Sequence, residues 1–169
     1  MTGVIRPVVR APAGVLGTAG KEVDPLSAEV RQLVEDLFAT MAVSPGCVGL
    51  AAPQVGVSAR VFVVDVTGHP KTRTCHGAFA LCNAEVVSAS KWEKGREGCM
   101  SVPDLTGDVR RAGNLVVTGV APGTGEQVEI RTNAFEARAL QHEIDHCSGY
   151  LFLDKVAGAH AIYPRKTYL

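Results

Sequence analysis

The sequence predicts an α+β fold: short, mostly antiparallel strands around a central, metal-bearing C-terminal helix, with an amphipathic helix near the N-terminus. Three observations carry that expectation. Apolar residues recur at Val30, Leu33, Val34, Leu37, Phe38 and Met41, the 3.6-residue period of a helix with one buried stripe. Residues 61–66, Val-Phe-Val-Val-Asp-Val, form a β-branched run short enough for a buried strand. Residues 141–146, Gln-His-Glu-Ile-Asp-His, place two histidines four apart in a second stretch with helix signals.

The elements follow in order along the chain. Val4 to Val9 reads as an N-terminal strand and loop, because Pro7, Pro12, Gly14 and Gly17 interrupt the apolar core that a signal peptide needs. Asp24-Pro25 opens the first helix, with aspartate as cap and proline at the first helical position, and Ser44-Pro45-Gly46 ends it. Phe79 to Ser88 and Asn114 to Gly119 read as further strands. Pro122 to Gly125 is a turn that joins the latter to Gln127–Arg131 as a hairpin. Asn133 and Glu136 have the spacing of a capping box for the second helix, and Gly149 suits its end.

Composition limits the function classes. The 169 residues are expected to form a single domain, 1–169. Apolar residues make up 46% and charged residues 20%, which is ordinary for a globular protein. Lysine plus arginine equals aspartate plus glutamate at 17 each, and no basic stripe points to nucleic acid. No apolar run approaches the ~18 residues that a membrane helix needs. Five cysteines, an odd number without regular spacing, argue for a reducing compartment and a cytoplasmic location.

On a helix, His142 and His146 present their rings to one point, and Phe135 and Ala139 share that face as an apolar wall. Glu143 stands close enough to reach a metal-bound water without ligating the metal. Two histidines plus a base is a way to make a nucleophile at neutral pH. Taken alone, the pair is equally consistent with a solvated helix face, so the third ligand decides. Asp154 is the only acid after the helix. Phe152 stands where a longer His-x-x-Gly-x-x-His pattern would place its histidine. A cysteine upstream remains.

Cys99 lies in Glu97-Gly98-Cys99-Met100-Ser101, and here the chain resembles the peptide deformylases. Residues 47–54, Cys-Val-Gly-Leu-Ala-Ala-Pro-Gln, are similar to the family's Gly-x-Gly-Leu-Ala-Ala-x-Gln. Residues 97–101 match Glu-Gly-Cys-x-Ser, and residues 141–146 match Gln-His-Glu-x-x-His. The resemblance implies one divalent metal held by Cys99, His142 and His146, ferrous iron in most members, with zinc, nickel or cobalt able to replace it. It implies Glu143 as general base and acid, with Gln54 and the backbone N–H of Met100 stabilising an oxyanion. Val48, Gly49, Leu50 and Gly98 resemble positions along which an extended substrate lies. Glu97 and Arg111 are expected to pair and brace the loop of Cys99.

The implied activity is removal of the formyl group from formyl-methionyl peptides of nascent chains, with release of formate. The natural partners would be nascent chains at the ribosome, and Arg165-Lys166 is too short a basic run to decide whether a ribosome-binding tail is present. Two other readings stay open: a metal hydrolase for other acyl or peptide bonds, and a non-catalytic binder of formyl-peptides. The sequence departs from the family pattern at Cys47, Cys147, Arg138 and Thr106, which bears on substrate preference and rate. Cys75, His76 and Cys82 fit no metal-site spacing.

Overall fold

The computed structural model describes residues 2–165, so Lys166 of the Arg165-Lys166 pair lies outside it. Mixed helix and antiparallel sheet is the result. Strands β1 (Gly49–Ala51), β2 (Val61–Val64), β3 (Phe79–Cys99), β4 (Val102–Val120) and β5 (Gln127–Asn133) lie in that order, and β6 (Ile162–Pro164) pairs with β4. Every pairing is antiparallel. Helices α1 (Ala28–Ala42) and α2 (Ala134–Cys147) pack against β1 and β2.

Strand β2 shows why its sequence is apolar throughout. Successive side chains of a strand point to opposite faces. Val61 and Val63 join the α1 core with Val30, Leu33, Val34 and Leu37. Phe62 and Val64 join the α2 core with Ala137 and Leu140. Both faces are therefore covered.

Several expectations need correction. Helix α1 starts three residues after Pro25. The Asp24 carboxylate is used in a local turn, accepting the Leu26 N–H at 2.9 Å, and Ser27 caps the helix by accepting the Val30 N–H. Residues 4–9 join no sheet. Their N–H groups go to α1 side chains instead, Val4 to Asp36 and Arg6 to Thr40, while the Val9 N–H donates to the Gln54 carbonyl.

Strands β3 and β4 are not short. They span 21 and 19 residues and meet in a two-residue turn, Met100-Ser101. The capping box at Asn133 does not form. Glu136 is fully buried and accepts the His76 N–H at 2.8 Å, with His76 Nδ1 2.5 Å from its other oxygen, so it cannot reach back to Asn133. Gly149 does end α2. It holds φ +85, and an added Cβ would stand 2.8 Å from the Thr18 carbonyl carbon.

Candidate active site

Cys99 ends β3, immediately before the turn into β4, and α2 runs beneath it. The ligand atoms of Cys99, His142 and His146 all lie within 4.8 Å of one another. Cys99 Sγ is 3.3 Å from His146 Nε2, which is 3.2 Å from His142 Nε2. The other nitrogen of His142, Nδ1, is 2.9 Å from Glu97 Oε1. A carboxylate on one imidazole nitrogen directs the other toward a metal.

These residues fit a transition-metal ion. One thiol and two imidazoles are donors of the right softness. Burial pushes the His146 imidazole well below its ordinary range, which keeps it neutral and able to ligate. Burial also disfavours the charged His142, but hydrogen bonding with Cys99 and Glu97 outweighs it and raises that group. Beside them, burial lifts the Glu143 carboxyl to about 7, and its buried Oε2 has no hydrogen-bond partner. An unpartnered buried carboxylate oxygen is costly unless a ligand or water completes it.

The brace is larger than expected. Arg111 donates to both Glu97 oxygens, from Nε at 2.9 Å and Nη2 at 3.1 Å, and reaches Asp145 through Nη1. Arg138 adds a bond to Glu97 at 2.8 Å. Burial alone would raise the Glu97 carboxyl, yet hydrogen bonds from His142 and Arg111 hold it down to about 2. Glu97 thus stays ionised while touching His142 and two guanidinium groups.

Gln54 is fixed at both ends. Its oxygen accepts the Ala51 N–H at 3.1 Å, which turns Nε2 toward Ser101 Oγ at 3.2 Å and Cys99 Sγ at 3.4 Å. Gly49 gives room to a side chain. A Cβ there would stand 2.9 Å from Glu143 Oε1, so the position of that carboxylate depends on the glycine hydrogen.

A pocket of about 310 Å³ brings together Val48, Gly49, Gln54, Gly98, Cys99, Met100, His142 and Glu143, with Phe135 and Ala139 as the expected apolar wall. Leu50 is the exception. It is fully buried in the α1 core and lines no part of the pocket. Cys47 does line it, and burial pushes its thiol up to about 12. Cys147 lies buried in the α2 core. Cys75, His76 and Cys82 do not converge: His76 goes to Glu136, and Cys82 is buried against α1.

Sequence reasoning missed His69, Lys71, Arg96 and Arg165 as pocket residues. His69 stacks on Phe135 with ring centres 3.8 Å apart. Arg165, held through its N–H on the Asp104 carbonyl, lays its guanidinium against Gly98 beside Thr106. A cation therefore reaches this rim from β6. No local pattern announces it, because the contact spans more than sixty positions.

Known proteins resemble the chain along most of its length. The family model for polypeptide deformylases matches residues 5–161. A peptide deformylase of Symbiobacterium thermophilum is 44% identical over 148 residues, which cover 88% of this chain and 65% of that protein. One from Halothermothrix orenii is 44% identical over 142 residues, covering 84% and 87%. Among solved structures, peptide deformylase from Ehrlichia chaffeensis superposes with a TM-score of 0.84 at 32% identity, over 91% of this chain and 89% of that one. The class I type b peptide deformylase from Acinetobacter baumannii, bound to Met-Ala-Ser, gives 0.82 at 35%, over 90% and 99%.

Proposed function

The chain belongs to the peptide deformylase family, and on that premise we propose that it removes the formyl group from formyl-methionyl peptides of nascent proteins, releasing formate. The observation that carries this reading is the convergence of Cys99, His142 and His146 beside an unpartnered Glu143 oxygen in one pocket.

We assign one divalent metal, Fe(II) by the family's habit, to Cys99, His142 and His146. When bound, it supplies Lewis-acid polarisation of the formyl oxygen and lowers the pKa of water toward ~7. Glu143 takes a proton from the attacking water and later gives one to the departing amine as the C–N bond breaks. Gln54 Nε2 and the Met100 backbone N–H donate toward the oxygen that gains negative charge. Glu97, held by Arg111 and Arg138, keeps the His142 ring in place.

Strand β1 ends the β1–β5 strand order, which leaves one side of Gly49–Ala51 without a strand partner in that order. An extended peptide can add along such an edge, between Val48–Leu50 and Gly98. Leu50 then contributes backbone only. We read residues 1–169 as one catalytic domain. All five cysteines are free, which agrees with a reducing, cytoplasmic setting, and among the described residues no helix is long and apolar enough to cross a membrane.

The test is formate release from formyl-Met-Ala-Ser by protein purified anaerobically with iron, with the acetylated peptide alongside. Metal-dependent release from the formyl peptide alone is the expected result. Cleavage of the acetylated peptide instead would reassign the chemistry to a broader amide hydrolase.

A further inference from the structure

The catalytic pocket adjoins a second cavity of about 690 Å³, and the two share Lys71, Arg96, Phe135 and Arg138. Around the second cavity stand also Arg73, Lys91 and Lys94, against a single carboxylate residue among the described residues, Glu93. The chain as a whole balances 17 basic against 17 acidic residues, so this excess of cations is local.

Arg96 and Arg138 have acidic partners, Asp108 and Glu97. Among the described residues, Lys71, Arg73, Lys91 and Lys94 make no ion pair. Like charges facing one cavity repel, and an anion between them relieves that repulsion. The shared wall says which anion. Lys71 and Arg96 line both spaces, so an anionic group on a peptide that occupies the first is within reach of the cations of the second. Nucleic acid fits less well. Among the described residues Phe135 is the only aromatic one lining the cavity, and its ring is already stacked on His69.

We propose that this cavity binds the carboxylates of acidic residues that closely follow the N-terminal residue of the substrate. The proposal rests on the deformylase reading and names a substrate preference for it.

The iron-loaded enzyme is assayed with the C-terminal amides of formyl-Met-Ala-Ser, formyl-Met-Asp-Glu and formyl-Met-Lys-Arg, so that only side chains differ in charge. The acidic peptide is expected to have the lowest KM and the basic one the highest, each step about five-fold, with kcat unchanged. About 0.5 M salt should erase the difference. The triple variant R73E/K91E/K94E should invert the order and leave formyl-Met-Ala-Ser turnover intact, which also shows that it folds. Equal KM values, or an acidic preference that survives the triple reversal, overturn the proposal.

Should no formyl peptide be cleaved, the deformylase reading fails by itself and the cavity is tested by binding. Trp92, the chain's one tryptophan, sits next to Lys91 and serves as a fluorescence reporter. A saturable change with Met-Asp-Glu, absent in the triple variant, keeps the assignment. Saturation by a short oligouridylate but not by the peptide overturns it.

Discussion

Helices α1 and α2 are nearly equal in length, 15 and 14 residues, and both bury a face against β1 and β2, yet they bury different chemistry. The α1 face is mainly apolar, and its two buried polar side chains, Asp36 and Thr40, hold the N-terminal segment. The α2 face interleaves Ala137 and Leu140 with Glu136, Gln141, Glu143 and His146. Most of these polar groups have partners. Gln141, for example, takes both the N–H and the carbonyl of Ala112 at 2.9 Å. Two side-chain atoms on α2 do not: Glu143 Oε2 and His146 Nδ1. Helix α1 settles its buried polar atoms within the protein, whereas α2 leaves two of them without a partner. The other two unpartnered buried atoms among the described residues, on Thr132 and Asn133, sit just before the α2 entrance.

The contrast breaks first at Glu143. Glu143→Gln should lower kcat about a hundred- to ten-thousand-fold while metal content and melting temperature stay near parental values. Cys99→Ala should lose metal and activity together. Near-normal turnover by Glu143→Gln would remove Glu143 from the proposed chemistry. In α1 the largest effect should be on stability alone. Leu37 is fully buried, and Leu37→Ala is expected to cost about 2–5 kcal/mol in denaturant unfolding. Turnover per folded molecule should not change, and a fall would mean that α1 shapes the site.

Gly49 links the two regions, lying on the strand between them. Gly49→Ala places a methyl group against Glu143, so kcat should drop by up to about a hundred-fold with metal retained. Full activity would show that Glu143 can swing aside.

The smallest effect concerns acid. Burial raises the Asp36 carboxyl, but hydrogen bonds from Val4, Gln32 and Arg6 outweigh it and hold the group below its ordinary value. A depressed carboxyl stabilises the fold above the unfolded pKa of about 3.9 and loses that contribution as pH falls through the folded value. Melting curves should therefore show Asp36→Asn weaker than the parent at neutral pH, with the gap closing below about pH 4. A gap independent of pH would assign the loss to packing.

The same contrast explains what the sequence discloses. Periodicity reveals α1 and β2 because burial of apolar side chains shapes them directly. The central part of β3 gives no such sign. Ser90, Lys91, Trp92, Glu93 and Lys94 are all exposed, so neither face alternates, and pairing with β4 alone makes them a strand. The Asn133–Glu136 pattern satisfies a local rule, but His76, sixty positions away, claims the glutamate. Cys99, His142 and His146 were legible because their types and spacing are rare together. Their bracing was legible in part, through Glu97 and Arg111. His69, Lys71 and Arg165 reach the pocket only through tertiary contacts that leave no mark on their own neighbourhoods.

The pocket draws its walls from Pro45 through Arg165, with the last of these delivered by the final strand, β6. During synthesis α2 therefore emerges before the pocket that it lines is complete, and closure of that pocket waits until residue 165 has been made.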